Sequence, residues 1–106
     1  MKTSKPLTAD LVVSLIDSHY AEIRALGVER LALFGSVLRG EARVDSDVDL
    51  LVQFAPGKKS LDNFLALYDL LDECFGKRVE LVTTDALSPF LGPRILAEAQ
   101  DVLRAA

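Results

Sequence analysis

Apolar residues recur along this chain with two periods, one of three to four residues and one of two, and the switches between them mark its elements. Leu11, Val12, Leu15, Ile16, Tyr20, Ile23 and Leu26 follow helical spacing. Thr8 stands where an N-cap belongs, Asp10 adds negative charge to the first turn, and Gly27 stops the run. His19 lies beside that stripe, where a lone histidine reads as a packing residue rather than a ligand or base. Val28–Phe34 then reads as a strand, and its nearly continuous Leu31-Ala32-Leu33-Phe34 suits a strand covered on both faces. Gly35 breaks it, and Ser36 to about Gly40 predicts a short helix entered directly from the strand. Arg43–Ser46 is a polar connection, Val48–Phe54 a second strand and Ala55–Lys59 a turn by composition.

Ser60 is the next N-cap, with Asp62 in the first turn behind it. Leu61, Phe64, Leu65, Tyr68, Leu71 and Phe75 form one stripe, widened by Leu67, Leu70 and Cys74. That arc is broader than a helix packed on one sheet face requires. It predicts either deep burial or a surface that meets a protein partner. Gly76 stops the helix, and Arg78–Thr83 predicts a third strand in which Glu80 sits between Val79 and Leu81. After Ser88-Pro89 and Gly92-Pro93, helical spacing of Ile95, Leu96, Ala99, Val102 and Leu103 predicts a last helix over Arg94–Arg104. The predicted order is α-β-α-β-α-β-α, an α/β (α+β) fold with a small mixed central sheet flanked by helices. No Gly-, Pro- or Ser-rich linker divides it, so residues 1–106 are expected to form one domain.

Composition narrows the picture only at the edges. Half the residues are hydrophobic (50%) and 26% are charged, as in an ordinary globular protein. The net charge of −4 argues against a general nucleic-acid binder, which needs clustered Lys and Arg. A single cysteine, Cys74, excludes an internal disulfide or a multi-cysteine metal site, and its apolar setting predicts a buried thiol. Met1–Pro6 is charged with no apolar h-region behind it, which predicts no signal peptide, and no run is long enough to span a bilayer. A cytoplasmic protein is expected.

The candidate chemistry is concentrated between Phe34 and Val52. Gly35-Ser36 follows a strand, and after ten intervening residues come Asp47-Val48-Asp49 at the start of the next. Residues two apart on a strand share a face, so Asp47 and Asp49 point together. Two neighbouring carboxylates repel, and a divalent cation such as magnesium or manganese resolves the conflict, with substrate phosphates completing its shell. Glycine allows a backbone to approach a ligand closely, and a helix starting near Ser36 offers free N–H groups and the Ser36 hydroxyl to a phosphate. A phosphate turn beside metal carboxylates implies phosphoryl or nucleotidyl transfer, which rests on positioning and electrostatic stabilisation. A two-metal version needs a third carboxylate, and Glu80 on the next strand is the best candidate. Asp45–Asp49 is no calcium loop, because Leu50 and Leu51 stand where such a loop needs glycine and oxygen ligands.

The spacing of Gly35-Ser36 and Asp47-Val48-Asp49 resembles the signature of the DNA polymerase β-like nucleotidyltransferase superfamily. Within it, L-F-G-S-V-L-R-G-E-A-R-V-D-S-D-V-D-L-L-V is similar to the minimal nucleotidyltransferase (MNT) proteins, the antitoxin partners of HEPN-domain toxins. The likeness extends through R-V-E-L-V-T and the closing L-S-P-F-L-G-P-R-I-L-A-E-A. It implies a polymerase β palm-like fold and a magnesium-dependent protein adenylyltransferase. Such an enzyme moves AMP from ATP to a tyrosine of a HEPN RNase toxin and so silences it, in a type VII-like pair that forms a tight hetero-oligomer. By position, the resemblance gives Gly35 and Ser36 to the triphosphate, Asp47 and Asp49 to two Mg2+ ions, and Glu80 to the third carboxylate role. Arg39 matches the family's arginine, as phosphate contact or loop brace. The chain departs from the usual pattern at Val37-Leu38, at Glu80 in place of aspartate, and at Gly92 in place of a charged residue.

Two other functions fit parts of the pattern. An antitoxin acting by binding and occlusion, with weak or no catalysis, would use the wide apolar arc of the Leu61–Phe75 helix. A small-molecule nucleotidyltransferase would use the same centre, but usually adds a second domain to shape its acceptor site.

Overall fold

The computed structural model describes residues 6–103; Met1–Lys5 and Arg104–Ala106 lie outside that range. Helix α1 (Ala9–Ser18) begins where the Thr8 hydroxyl oxygen accepts the Leu11 N–H at 3.2 Å, the cap the sequence predicts. It does not run unbroken to Leu26. The Ser18 hydroxyl donates back to the Ser14 and Leu15 carbonyls at 3.1 and 3.0 Å, and His19 Nδ1–H donates to the Leu15 carbonyl at 3.1 Å. These side chains compete for carbonyls of the helical ladder, and the chain kinks at His19 before resuming as α2 (Tyr20–Ala25). His19 is therefore a packing residue whose Nδ1 is satisfied by the Leu15 carbonyl. Cys74 lies 3.7 Å from its Nδ1, half-buried, with burial pushing the thiol pKa up. A thiol held protonated is a poor nucleophile.

Strands β1 (Val28–Phe34) and β2 (Val48–Phe54) occupy the spans the apolar pattern predicts, separated by the one-turn helix α3 (Gly35–Leu38). Helix α4 (Leu61–Phe75) is capped by Ser60, whose hydroxyl oxygen accepts the Asn63 N–H at 3.1 Å, and ends at Gly76 in the left-handed conformation. Strand β3 (Val79–Thr83) leads through a 3-10 turn at Thr84–Ala86 to α5 (Gly92–Glu98). The sheet order is β3-β2-β1-β4, with β2 and β3 parallel and the other pairs antiparallel. The parallel pair is the one bridged by α4, as a crossover helix requires.

One face of this mixed sheet carries the core. Leu31 and Leu33 of β1, Val48, Leu50 and Val52 of β2, and Val79 of β3 pack with Val12, Ile16 and Ile23 of α1–α2 and Leu67, Leu71 and Phe75 of α4. Only the C-terminal half of the α4 arc is spent on that core, since Leu61 and Leu65 remain 72% and 48% exposed. On the opposite face Ala32 and Leu51 are buried too, beside Leu96 and Ala99 around α5. The expectation of β1 covered on both faces holds in its central residues. No described helix is long and apolar enough to cross a membrane.

The expected last helix over Arg94–Arg104 is corrected by the fold. Helix α5 starts two residues earlier and stops at Glu98; Ala99 turns extended, and Gln100–Asp101 form β4 on the free edge of β1. Ala32 and Leu33 pair with Asp101 and Gln100, Val102 N–H donates to the Leu31 carbonyl at 2.9 Å, and Val102 and Leu103 are buried in the core. An open edge on β1 would leave backbone groups unpaired, and that long-range gain outweighs continuing the helix past Glu98. Arg104, the predicted end of the helix, lies outside the described residues.

Candidate active site

Asp49 stands at the crossing of three segments. On β2 the core takes Val48, Leu50 and Val52, so the pleat turns Asp49 and Leu51 to the opposite face. In the antiparallel ladder its partner is Phe34, the residue before Gly35; in the parallel ladder its partner is Glu80. Val79 is buried and Glu80 exposed, so the third acid faces the same side as Asp49. The register thus lines Gly35, Asp49 and Glu80 across the sheet, and a one-residue slip would send Glu80 into the core.

Gly35 has a φ of +80° and is buried against Asp49. A Cβ built there would overlap the Asp49 Oδ2 atom and lie 2.9 Å from its Cγ. The absent side chain is thus where the Asp49 carboxylate sits, and glycine is required twice over, by backbone angle and by space. Ser36 is partly exposed one residue further on. Helix α3 is only four residues long, so little macrodipole accumulates there. The Ser36 amide and hydroxyl remain as groups an anion would meet.

Asp47 precedes β2 rather than lying in it. Ser46 staples the turn before it, its hydroxyl oxygen accepting the Arg43 N–H at 2.7 Å, and Val48 N–H donates to the Arg78 carbonyl at 2.9 Å. Asp47 Oδ1 is 3.9 Å from the exposed Arg78 Nε, a loose surface pair of small energetic value. Burial pushes the Asp49 carboxyl up to about 6; the negative charges of Glu80 and Asp47 act in the same direction, and Arg39 opposes them. Asp49 therefore feels both neighbouring acids. Among the described residues no three His, Cys, Asp or Glu side chains form a ready-made metal cage. An all-oxygen group under mutual repulsion still fits a hard divalent ion, because Mg2+ is usually bound through one or two carboxylates with phosphate and water completing its shell.

Arg39 is exposed and engaged on both sides, Nε with Glu41 Oε1 at 2.9 Å and Nη1 with Glu98 Oε1 at 2.7 Å. These partners raise its pKa further above the neutral range, and Arg39 holds the Glu98 carboxyl below its usual range. Glu98 also accepts the Gly35 N–H at 3.2 Å. The sequence analysis does not single out Glu98, which touches both Gly35 and Arg39. Its trace in the sequence is faint, an acid three residues after Ile95 on an otherwise apolar run. Of the sequence-predicted residues, Gly35, Asp49 and Glu80 come together by register, Asp47 adjoins them by charge, and Ser36 and Arg39 flank the turn.

Comparison with known proteins identifies the family. A model of the nucleotidyltransferase domain matches residues 16–102. MJ0435 of Methanocaldococcus jannaschii, named as a candidate protein adenylyltransferase, is 46% identical over 77 residues, covering 73% of this chain and 82% of its own. The protein adenylyltransferase MntA of Thermococcus cleftensis is 39% identical over 93 residues, covering 87% and 93%. Among solved structures, one described as a candidate minimal nucleotidyltransferase superposes with a TM-score of 0.68 at 36% identity, covering 83% of this chain and 93% of that one. An MNT antitoxin in complex with the tri-AMPylated HEPN toxin of Shewanella oneidensis shares the fold at 19% identity, TM-score 0.59, over 85% and 71% of the two chains. With a domain model spanning most of its length and relatives matched nearly end to end, this chain belongs to the nucleotidyltransferase domain family, among the minimal nucleotidyltransferases.

Proposed function

We propose that this protein is the antitoxin of a HEPN/MNT pair, a protein adenylyltransferase that moves AMP from ATP to a tyrosine of its cognate HEPN RNase toxin and so neutralises it. The observation that carries the reading is the alignment of Gly35, Asp49 and Glu80 across the sheet, with Asp49 packed into the space a side chain at Gly35 would fill. The names of its relatives supply the substrate and the partner. Residues 1–106 would act as one minimal domain in the cytoplasm.

In this reading Gly35, Ser36 and Arg39 receive the triphosphate, and Asp47, Asp49 and Glu80 hold Mg2+, two ions when substrate is bound. The metal would polarise phosphate oxygens and offset charge developing on them. The tyrosine oxygen attacks the α-phosphorus, the bond from that phosphorus to the bridging oxygen breaks, and pyrophosphate leaves. Glu80, the exposed acid of the three, takes the phenol proton. Nothing in the site itself reads a toxin. The acceptor is selected by docking.

Labelled ATP, Mg2+ and the cognate toxin, incubated with the protein, should label the toxin. An Asp47→Ala, Asp49→Ala double variant should not. Equal labelling by that variant, or none by the wild type, sinks the proposal. Neutralisation by occlusion alone has one observation in its favour, the outward-facing Leu61 and Leu65 at the start of α4. Protection of cells by the double variant, lost on Leu65→Glu, would favour that reading instead.

A further inference from the structure

The turn that carries Gly35 is held from the far end of the chain. Glu98 closes α5 and reaches the turn with both carboxylate oxygens, Oε2 accepting the Gly35 N–H at 3.2 Å and Oε1 accepting Arg39 Nη1–H at 2.7 Å. Gly35 opens α3 and Arg39 caps it, with Arg39 N–H already donating to the Gly35 carbonyl at 3.1 Å. One carboxylate thus closes a ring around the whole turn. The Arg39 bond, at 2.7 Å, has the short length of a charge-assisted pair, a class about twice as strong as neutral hydrogen bonds.

The backbone that carries Glu98 is fixed in place. Ala99 N–H donates to the Ile95 carbonyl at 2.8 Å, and two residues after Glu98 the chain is already paired with β1, with Asp101 Oδ1 bonded to Arg30 at 3.0 Å. A cleft of about 430 Å³ opens beside this bridge, between Phe34 on one side and Leu91, Arg94 and Ile95 on the other. It offers room next to the turn without displacing Glu98.

We infer that Glu98 is a positioning residue for nucleotide binding: it presets the Gly35 turn and aims the Arg39 guanidinium before substrate arrives. The inference rests on the transferase reading above and adds to it a residue from outside the motif. Its contribution is preorganisation. A turn and an arginine already fixed by Glu98 need not be ordered at the expense of binding energy.

The test is calorimetric binding of a non-hydrolysable ATP analogue with Mg2+, alongside steady-state transfer to the toxin. Glu98→Ala should weaken analogue binding and raise KM for ATP about tenfold, equivalent to one hydrogen-bonded charge contact, with kcat within about twofold. Glu98→Gln, which keeps an acceptor for the Gly35 N–H and the same shape, should show a smaller loss in the same direction and a melting temperature near wild type. Glu41→Gln removes the other partner of Arg39 and should change binding less than about twofold, as expected of an exposed pair. In the Arg39→Ala background, Glu98→Ala should add less than it costs alone, because the two side chains act together.

Unchanged affinity in both folded Glu98 variants overturns the inference. So does tighter binding, which would make Glu98 a competitor for the phosphate site. An equal loss in Glu41→Gln overturns it as well. If the wild type binds the analogue but labels no toxin, the partner reading falls and the role of Glu98 stands. If the wild type binds no nucleotide, both fall.

Discussion

Replacing Asp49 by asparagine is expected to stabilise the protein while abolishing its chemistry. Asn keeps the shape on which Gly35 packs and removes the charge that Glu80 and Asp47 repel. The wild-type carboxyl is raised from 3.8 to about 6, first by burial and then by those two neighbours. At about 1.4 kcal/mol per tenfold, the rise corresponds to about 3 kcal/mol of unfavourable charge in the folded state. Asp49 is half-buried, and water screens part of that, leaving about 1–2 kcal/mol.

The sign follows from the direction of the rise. The folded state holds the Asp49 proton more tightly than the unfolded chain does. The stability this affords is therefore fully present below about pH 4 and lost as pH rises through about 6. Asp49→Asn should melt several degrees higher than wild type at pH 7.5, since 1 kcal/mol moves the melting temperature of a domain this size by about 4–8 °C. The gap should shrink steadily below about pH 6 and be small by about pH 4, where folded Asp49 is protonated and the unfolded carboxyl is beginning to be. Melting curves of the two proteins without metal, taken from pH 4 to 8, provide the assay. A variant that melts at or below wild type at pH 7.5, or a gap that does not depend on pH, refutes the reasoning.

Gly35→Ala combines a positive-φ position with overlap on the Asp49 carboxylate, and should cost about 2 kcal/mol or more and abolish analogue binding, read by melting and calorimetry. Leu71→Ala empties a fully buried position and should cost about 2–5 kcal/mol, whereas Leu61→Ala, ten residues earlier on the same helix, should change stability by no more than about 0.5 kcal/mol in the same urea titration. Ser60→Ala removes the α4 cap and should cost about 1 kcal/mol. Glu80→Gln should lower the pKa of Asp49, shrinking the pH-dependent gap described above.

Near-neighbour information carried most of the local structure. The caps at Thr8 and Ser60, the stop at Gly76, the spans of β1 and β2 and the Gly35 turn are all written in residues a few positions apart. Such features depend on one segment at a time, and the sequence states them without reference to the rest of the chain. The D-x-D pair and its distance from Gly35-Ser36 belong to the same class, and with them the candidate chemistry. The kink at His19 escaped because apolar spacing runs straight through it, while the cause lies in Ser18 and His19 side chains turning back on the helix.

What only the tertiary structure decided depends on segments far apart in the chain. Helical spacing of Val102 and Leu103 was a fair signal, yet the unpaired edge of β1 claimed Gln100 and Asp101 for a strand. Which half of the α4 arc meets the core is set by the sheet beneath it, so the exposure of Leu61 and Leu65 cannot be read from their own spacing. Glu80 reaches Asp49 through one parallel register out of several that the apolar pattern of β3 allows, and Glu98 reaches Gly35 across 63 positions. Sequence alone determined the type of chemistry, because its atoms lie within one short stretch. Tertiary packing decided the geometry of the site, because charge repulsion, register and edge pairing act between elements that the sequence keeps apart.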